Sequence, residues 1–244
     1  MLPVAKTREV SEVLVVVPST PQGQLGAVLS ALIVVFSLVG LTMHGDFYAG
    51  VCRRDYWAYY TNQSNLLVFV YFALISPLLY ADTRLYALIP HAEFAVMLCI
   101  MLTHLVFHHF LAPFVFEETI YTPHAPNARI ARADSLVQHY AVPLLTLTYW
   151  LLCSPGKEQL TLIDAFLWLL FPLSYAGFVF LRARLRGTIH RTKSAYPYPF
   201  LDVVFFGRRR VFLLTGTLFA LSAGASLALL LLIRLLTFVL PGIF

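Results

Sequence analysis

Six apolar stretches of about twenty residues each dominate the chain, at about 25–44, 57–80, 91–112, 135–153, 160–181 and 211–233. An α-helix needs about 20 apolar residues to cross a hydrocarbon core roughly 30 Å thick. The pattern therefore predicts six transmembrane helices in one bundle, an all-α polytopic membrane protein formed by a single domain over 1–244. The connecting loops are short except at 113–134 and 182–210, and neither has room for a soluble domain. One span breaks the apolar pattern. No charged residue occurs from Trp57 to Ala81, yet that stretch opens with Thr61, Asn62, Gln63, Ser64 and Asn65 in a row.

Composition agrees with the spans. Of 244 residues 59% are hydrophobic and 12% charged, and a soluble domain carries roughly twice that charge. The net charge of +5 reads as orientation in the membrane and not as nucleic-acid binding. Lys6, Arg8, Arg84, Lys157 and Arg234 lie on the side of the termini. Arg53, Arg54, Arg129, Arg132, Arg182, Arg184, Arg186, Arg191, Lys193, Arg208, Arg209 and Arg210 lie on the other. Positive charge is retained in the cytoplasm, so loop 182–210 is expected inside and both termini outside. The N-terminus has no long apolar core followed by a small-residue cleavage site, so no removable signal peptide is expected. Cys52, Cys99 and Cys153 follow no metal or disulfide spacing.

Proline and small residues add local expectations. Pro77, Pro143 and Pro172 lie within spans. Each removes a backbone donor and invites a kink. Pro143 frees the carbonyl four residues back, that of His139. Gly216, Ala220, Gly224 and Ala228 form a small-residue stripe on the last span. Such a stripe lets another helix approach closely, and packing within the chain is the expected use.

Depth gathers the polar residues. Thr61 lies six residues beyond Asp55, and His139 five beyond Asp134. At 1.5 Å per residue both lie about 7–9 Å below the same face. The third span sends His104, His108 and His109 toward that face, and His44 ends the first span there. In the other half His91, Glu93 and Asp164 are expected to reach only the interface. Buried polar groups are expensive in a bilayer and usually face the protein interior.

A hydroxyl beside an imidazole is the minimum for acyl transfer. Thr61 is the candidate nucleophile and His139 its base. Asn62 or Asn65 could donate to the oxyanion. Ser64 is a rival nucleophile, Cys52 a weaker one, and His108 is expected to hydrogen-bond in the site or orient His139. Plainer readings are helix glue for the amides and a backbone bond for the threonine. A second reading is a metal enzyme: His104 and His108, four apart, with His109 or His139 as a third ligand. A haem carrier would need histidine pairs in both halves, whereas here only His91 lies in the other half. A non-enzymatic transporter or scaffold is a further reading; against a transporter, the spans hold no obvious charged path. Tyr196-Pro-Tyr-Pro-Phe-Leu-Asp202 reads as a rigid aromatic segment covering a mouth.

Four pieces of the sequence resemble a known family. They are TNQSNLL at 61–67, VFHHFLAP at 106–113, LVQHYAVPLL at 136–145 and YPYPFLD at 196–202. In order and spacing they resemble the androgen-induced-gene family of integral-membrane threonine hydrolases, in its bacterial six-span branch. The resemblance implies hydrolysis of fatty acid esters of hydroxy fatty acids or similar lipid esters, with Thr61 and His139 as the catalytic pair. It implies no cofactor, a membrane lipid as partner and a bacterial cell-membrane location. After Asn62 the chain continues QSNLL, where the eukaryotic members have a tryptophan-containing pattern.

Overall fold

The computed structural model describes residues 20–45, 55–82, 84–112, 133–189 and 192–239. Six helices in it are long and apolar enough to cross a membrane: α1 (Pro21–His44), α2 (Tyr60–Ala81), α3 (Tyr86–Leu111), α4 (Ala133–Cys153), α5 (Asp164–Arg186) and α6 (Arg208–Val239). No strand occurs among the described residues. The chain is an all-α integral membrane protein. Several boundaries differ from the apolar runs by a few residues: α1 starts at Pro21 instead of 25, and α5 ends at Arg186 instead of 181. α3 starts at Tyr86 instead of 91, and α6 begins on its three arginines at Arg208. Helices run past the apolar core because backbone hydrogen bonding continues into the interface, where Arg side chains can reach water.

The first four helices pack on one another most extensively. Leu29, Ile33, Val68, Phe72, Ile100 and Val142 meet in their shared core. α1 and α4 touch so closely that a Cβ on Gly40 would lie 2.7 Å from Gln138 Cγ. Gln138 Nε2 donates to Gly40 O at 2.6 Å, which ties α1 to the turn of α4 that carries His139. At the same end His44 Nδ1 meets Asp134 Oδ2 at 2.7 Å.

Three of these helices contain a π turn: Tyr71–Ile75 in α2, Phe107–Leu111 in α3 and Val137–Ala141 in α4. Such turns insert a residue into the α-ladder and recur at functional sites. Pro77 and Pro143 follow the first and third, so the backbone bond that each proline cannot make falls next to the irregular turn. At Pro172 the α-pattern breaks at Trp168–Leu169. There Trp168 O accepts from Phe171 N at 3.2 Å.

The small-residue stripe does not pack within the chain as expected. A Cβ on Gly216 or Gly224 would meet nothing within 4 Å, and Ala220 and Ala228 are exposed. The reason is the rotation of α6. Its buried positions are Val211, Ser226, Leu230 and Ile233, and Ser226 Oγ donates to Ala165 O at 2.6 Å. That face fixes α6 against the start of α5 and turns the glycines outward.

Glu93 also departs from expectation. It is 2% exposed, and its Oε1 accepts from Tyr149 at 3.1 Å and Tyr80 at 3.4 Å. His91 Nδ1 pairs with Asp164 Oδ1 at 2.8 Å. Both carboxylates hold helices together in place of merely reaching the interface. A buried carboxylate requires such donors.

After α5 the chain folds back over the start of α2. Arg182 binds Asp55 Oδ1 at 2.5 Å through Nη2, and donates to Ala195 O at 3.2 Å through Nη1. Asp202 accepts from Ser194 Oγ at 2.6 Å, and from Val204 N at 2.9 Å and Phe205 N at 3.0 Å. Burial pushes the Asp202 carboxyl up, but these three donors outweigh it and hold the group below the usual aspartate range. Tyr196, Tyr198 and Leu201 then pack on Tyr60, Tyr175 and Val179. The segment forms the aromatic cap that its sequence predicts.

Candidate active site

Thr61 stands in the first turn of α2. The four leading N–H groups of a helix have no partner in their own helix, and Thr61 N is one of them. It donates to the Tyr198 hydroxyl of the cap at 3.5 Å. Asn62 and Asn65 anchor the same turn. Asn62 Nδ2 donates to Tyr56 O at 2.6 Å. Asn65 Nδ2 donates to Thr61 O at 2.8 Å and, across the helix pair, to Gln138 O at 3.4 Å. Ser64 Oγ donates to Thr61 O at 3.1 Å and lies 2.7 Å from Thr103 Oγ1 on α3.

His139 comes from the π turn of α4. Its Nε2 lies 3.2 Å from Thr61 Oγ1. Its Nδ1 lies 3.0 Å from Ser135 O. A carbonyl only accepts, so Nδ1 carries the proton, and in the neutral ring Nε2 presents a lone pair to the threonine hydroxyl. The Phe107 ring lies flat on the imidazole, with centroids 3.7 Å apart and planes 20° from parallel. By α-helical spacing the carbonyl four residues before Pro143 is that of His139, and His104 Nδ1 donates to it at 2.7 Å. Contacts on its second ring nitrogen, on its ring face and on its backbone carbonyl therefore help to hold the imidazole toward Thr61.

The hydroxyl and imidazole are both shielded, Thr61 at 7% and His139 at 8% exposure. Tyr198 OH lies 3.5 Å from Thr61 Oγ1. Burial pushes the Tyr198 hydroxyl above its ordinary titration range, so it remains a donor. At this degree of burial, charge developing on a reacting atom interacts more strongly with fixed dipoles than it would in water.

An apolar groove leads away from Thr61. It encloses about 640 Å³ of space, its open mouth included. Tyr60 and Thr61, Thr103 and Phe107, Tyr175, Tyr198 and Thr215 are among its walls.

Of the residues expected from sequence, the structure brings Thr61 and His139 together. Asn62 and Asn65 are adjacent, but their amide hydrogens are directed to backbone carbonyls and not to the threonine hydroxyl. Ser64 bonds to Thr103 in place of a histidine. His108 Nδ1 lies 3.0 Å from Tyr140 OH; the histidine that braces His139 is His104. The stacked rings of His104 and His108 are 5.8 Å apart. Among the described residues no three His, Cys, Asp or Glu side chains gather as a metal ion would require, so His104, His108 and His139 do not form a ligand set. Cys52 lies outside the described residues, as do Arg53, Arg54, Arg129, Arg132 and Arg191.

Sequence reasoning missed the contacts of Tyr198 and Ser135. Tyr198 lies in the aromatic segment, which marked the cap but not the residue that reaches the threonine. Ser135 sits four residues before His139, a spacing at which a helical side chain can reach a backbone carbonyl. No family profile, curated protein or solved structure matches the chain.

Proposed function

We propose that this protein is an intramembrane hydrolase of lipid esters, with Thr61 as nucleophile and His139 as general base. The carrying observation is the 3.2 Å approach of Thr61 Oγ1 to Nε2 of His139, the nitrogen left free to accept when the ring is neutral and Nδ1 donates to Ser135 O. A nucleophile, a base and a third group orienting the base are the parts that activated hydroxyls share. Here the third group is the Ser135 carbonyl. It fixes the tautomer but brings no negative charge, so it stabilises the imidazolium less than a carboxylate does.

In the first half-reaction Thr61 Oγ1 bonds to the ester carbonyl carbon as its proton passes to His139 Nε2. The oxyanion is met by the Tyr198 hydroxyl and the Thr61 N–H, at the positive end of the α2 dipole. The carbon–alkoxide bond then breaks, and the proton on Nε2 goes to the departing alcohol. In the second half-reaction water gives a proton to Nε2 and attacks the acyl-threonine. The carboxylic acid leaves and Thr61 recovers its proton. No cofactor takes part. Asn62 and Asn65 act by holding the Thr61 turn in place.

The four matching pieces of sequence support assignment to the bacterial branch of the androgen-induced-gene family, with fatty acid esters of hydroxy fatty acids or similar lipids as substrates. The same resemblance supports a bacterial cell-membrane location, and the charge bias supports an orientation with loop 182–210 in the cytoplasm. The test is a fluorophosphonate probe on the purified protein. Labelling that is strong in the parent and absent in Thr61→Ala is the expected result; equal labelling of both rules Thr61 out as nucleophile.

A further inference from the structure

α6 is the least buried of the six spans, and its buried residues lie toward its two ends. At one end Ser226, Leu230 and Ile233 are buried. There Ser226 Oγ donates to Ala165 O at 2.6 Å, and Arg234 Nη2 to Leu160 O at 2.9 Å. At the other end Val211 is buried, and the helix packs on the cap through 199–201 and 203–206. From Phe212 to Ala225 no residue is buried, a stretch of about 20 Å at 1.5 Å per residue. Thr215, Leu218, Phe219 and Ser222 recur there at helical spacing, and all four line the groove. Over this stretch the inner face of α6 therefore borders the groove and does not pack on another helix. Tyr198 and Leu201 of the cap border the same space and are themselves buried.

We propose that a membrane lipid enters the groove sideways from the hydrocarbon, its acyl chain passing beneath the middle of α6. The inference takes the lipid's role as substrate from the hydrolase reading, whereas the route is read from α6 itself. Helices in a bilayer gain no hydrophobic energy by meeting, because lipid tails are as apolar as their side chains. α6 can therefore stand off the bundle between its two anchored ends at little cost when an acyl chain fills the space. The chain supplies the dispersion contacts that a void would forfeit. Water is a poor occupant of that space. The lining side chains are mostly apolar, and the Thr103 hydroxyl among them is already paired with Ser64. The loop side is the province of the cap, which Arg182–Asp55 and Asp202–Ser194 hold in place. The middle of α6 is thus the way in, and it faces lipid.

The test is photolabelling in nanodiscs, read residue by residue by mass spectrometry, on the parent and on Thr61→Ala. The lipid probe is a phosphatidylcholine with a diazirine in its acyl chain. Leu214 and Leu221 on the outer face of α6 are the reference for contact with bulk lipid. Leu218, Phe219 and Ser222 should together take at least a tenth as many adducts as those two; a smaller share overturns the route. A diazirine amino acid dissolved in the buffer is the aqueous probe. It should label the exposed Glu158 at least tenfold more than the three inner residues, and a smaller difference means that the space opens to water and overturns the route. Leu218→Trp fills the space and should lower adducts on Ser222 at least tenfold while those on Leu221 stay unchanged. Unchanged adducts on Ser222 overturn the route. None of these readings needs turnover. Inner-face lipid adducts with no ester hydrolysis by the parent keep the route and reject the hydrolase, and hydrolysis without such adducts does the reverse.

Discussion

His104 offers the sharpest test of how the site is held. Pro143 has no N–H to offer the carbonyl four residues back, that of His139, and His104 Nδ1 donates to that carbonyl at 2.7 Å. His104→Ala leaves that carbonyl without this partner. An unsatisfied buried backbone group costs about 1–3 kcal/mol. For a chain of about this size each kcal/mol lowers the unfolding midpoint by about 2–4 °C, so a fall of roughly 2–12 °C is expected. The loss should reach the chemistry too, because His139 Nε2 must stay within reach of Thr61 Oγ1; a misplacement near 1 Å can cost about 100-fold in rate. The decisive measurement is a double-mutant cycle by thermal unfolding in detergent at one scan rate. Pro143→Ala restores a backbone donor to His139 O. In that background His104→Ala should cost well under half of what it costs in the parent. Equal costs in the two backgrounds would refute the claim that His104 replaces the bond the proline removes.

Other expectations follow from the same geometry. Tyr198→Phe keeps the ring packing and removes the hydroxyl that faces Thr61, so kcat should fall about 10²–10³-fold, as for loss of one oxyanion donor. A fall under threefold would remove Tyr198 from that role. Burial raises the Tyr198 pKa in the folded state, so the fold holds its proton where the unfolded chain gives it up. Its contribution to stability is therefore complete below about pH 10 and lost as pH rises further; the unfolding midpoint should drop less steeply above pH 10 in Tyr198→Phe than in the parent. Asp202 has the opposite sign. Its depressed pKa gives stability that is present above about pH 4 and lost as pH falls below it. Asp202→Asn should make the 192–202 segment more susceptible to limited proteolysis at pH 7 and flatten that acid dependence. Gly40→Ala would place a Cβ 2.7 Å from Gln138 Cγ and 3.2 Å from Val137 Cγ1. Overpacking of that kind costs about 1–3 kcal/mol, so the midpoint should fall, and an unchanged midpoint would mean that α1 and α4 separate freely.

Much of this protein is legible in its sequence because a bilayer imposes strong local rules. Each span must be apolar for about twenty residues, so the six helices declare themselves without any knowledge of their neighbours. Rise per residue is constant in a helix, so Thr61 and His139 fall at one depth by counting alone. Pro143 names its orphaned carbonyl by the same counting. Depth, however, is one coordinate of three. Which way a side chain points around its helix depends on packing, and only the tertiary structure decided that. It turned the glycines of α6 outward because Ser226, Leu230 and Ile233 took the inner face. It directed the amides of Asn62 and Asn65 to backbone carbonyls, gave the His139 carbonyl to His104 and left His108 with Tyr140. It brought Tyr198, 137 residues distant in sequence, to the threonine. Helix register and depth are properties of a segment and can be read from it. Facing is a property of pairs of segments, and it exists only once they have packed.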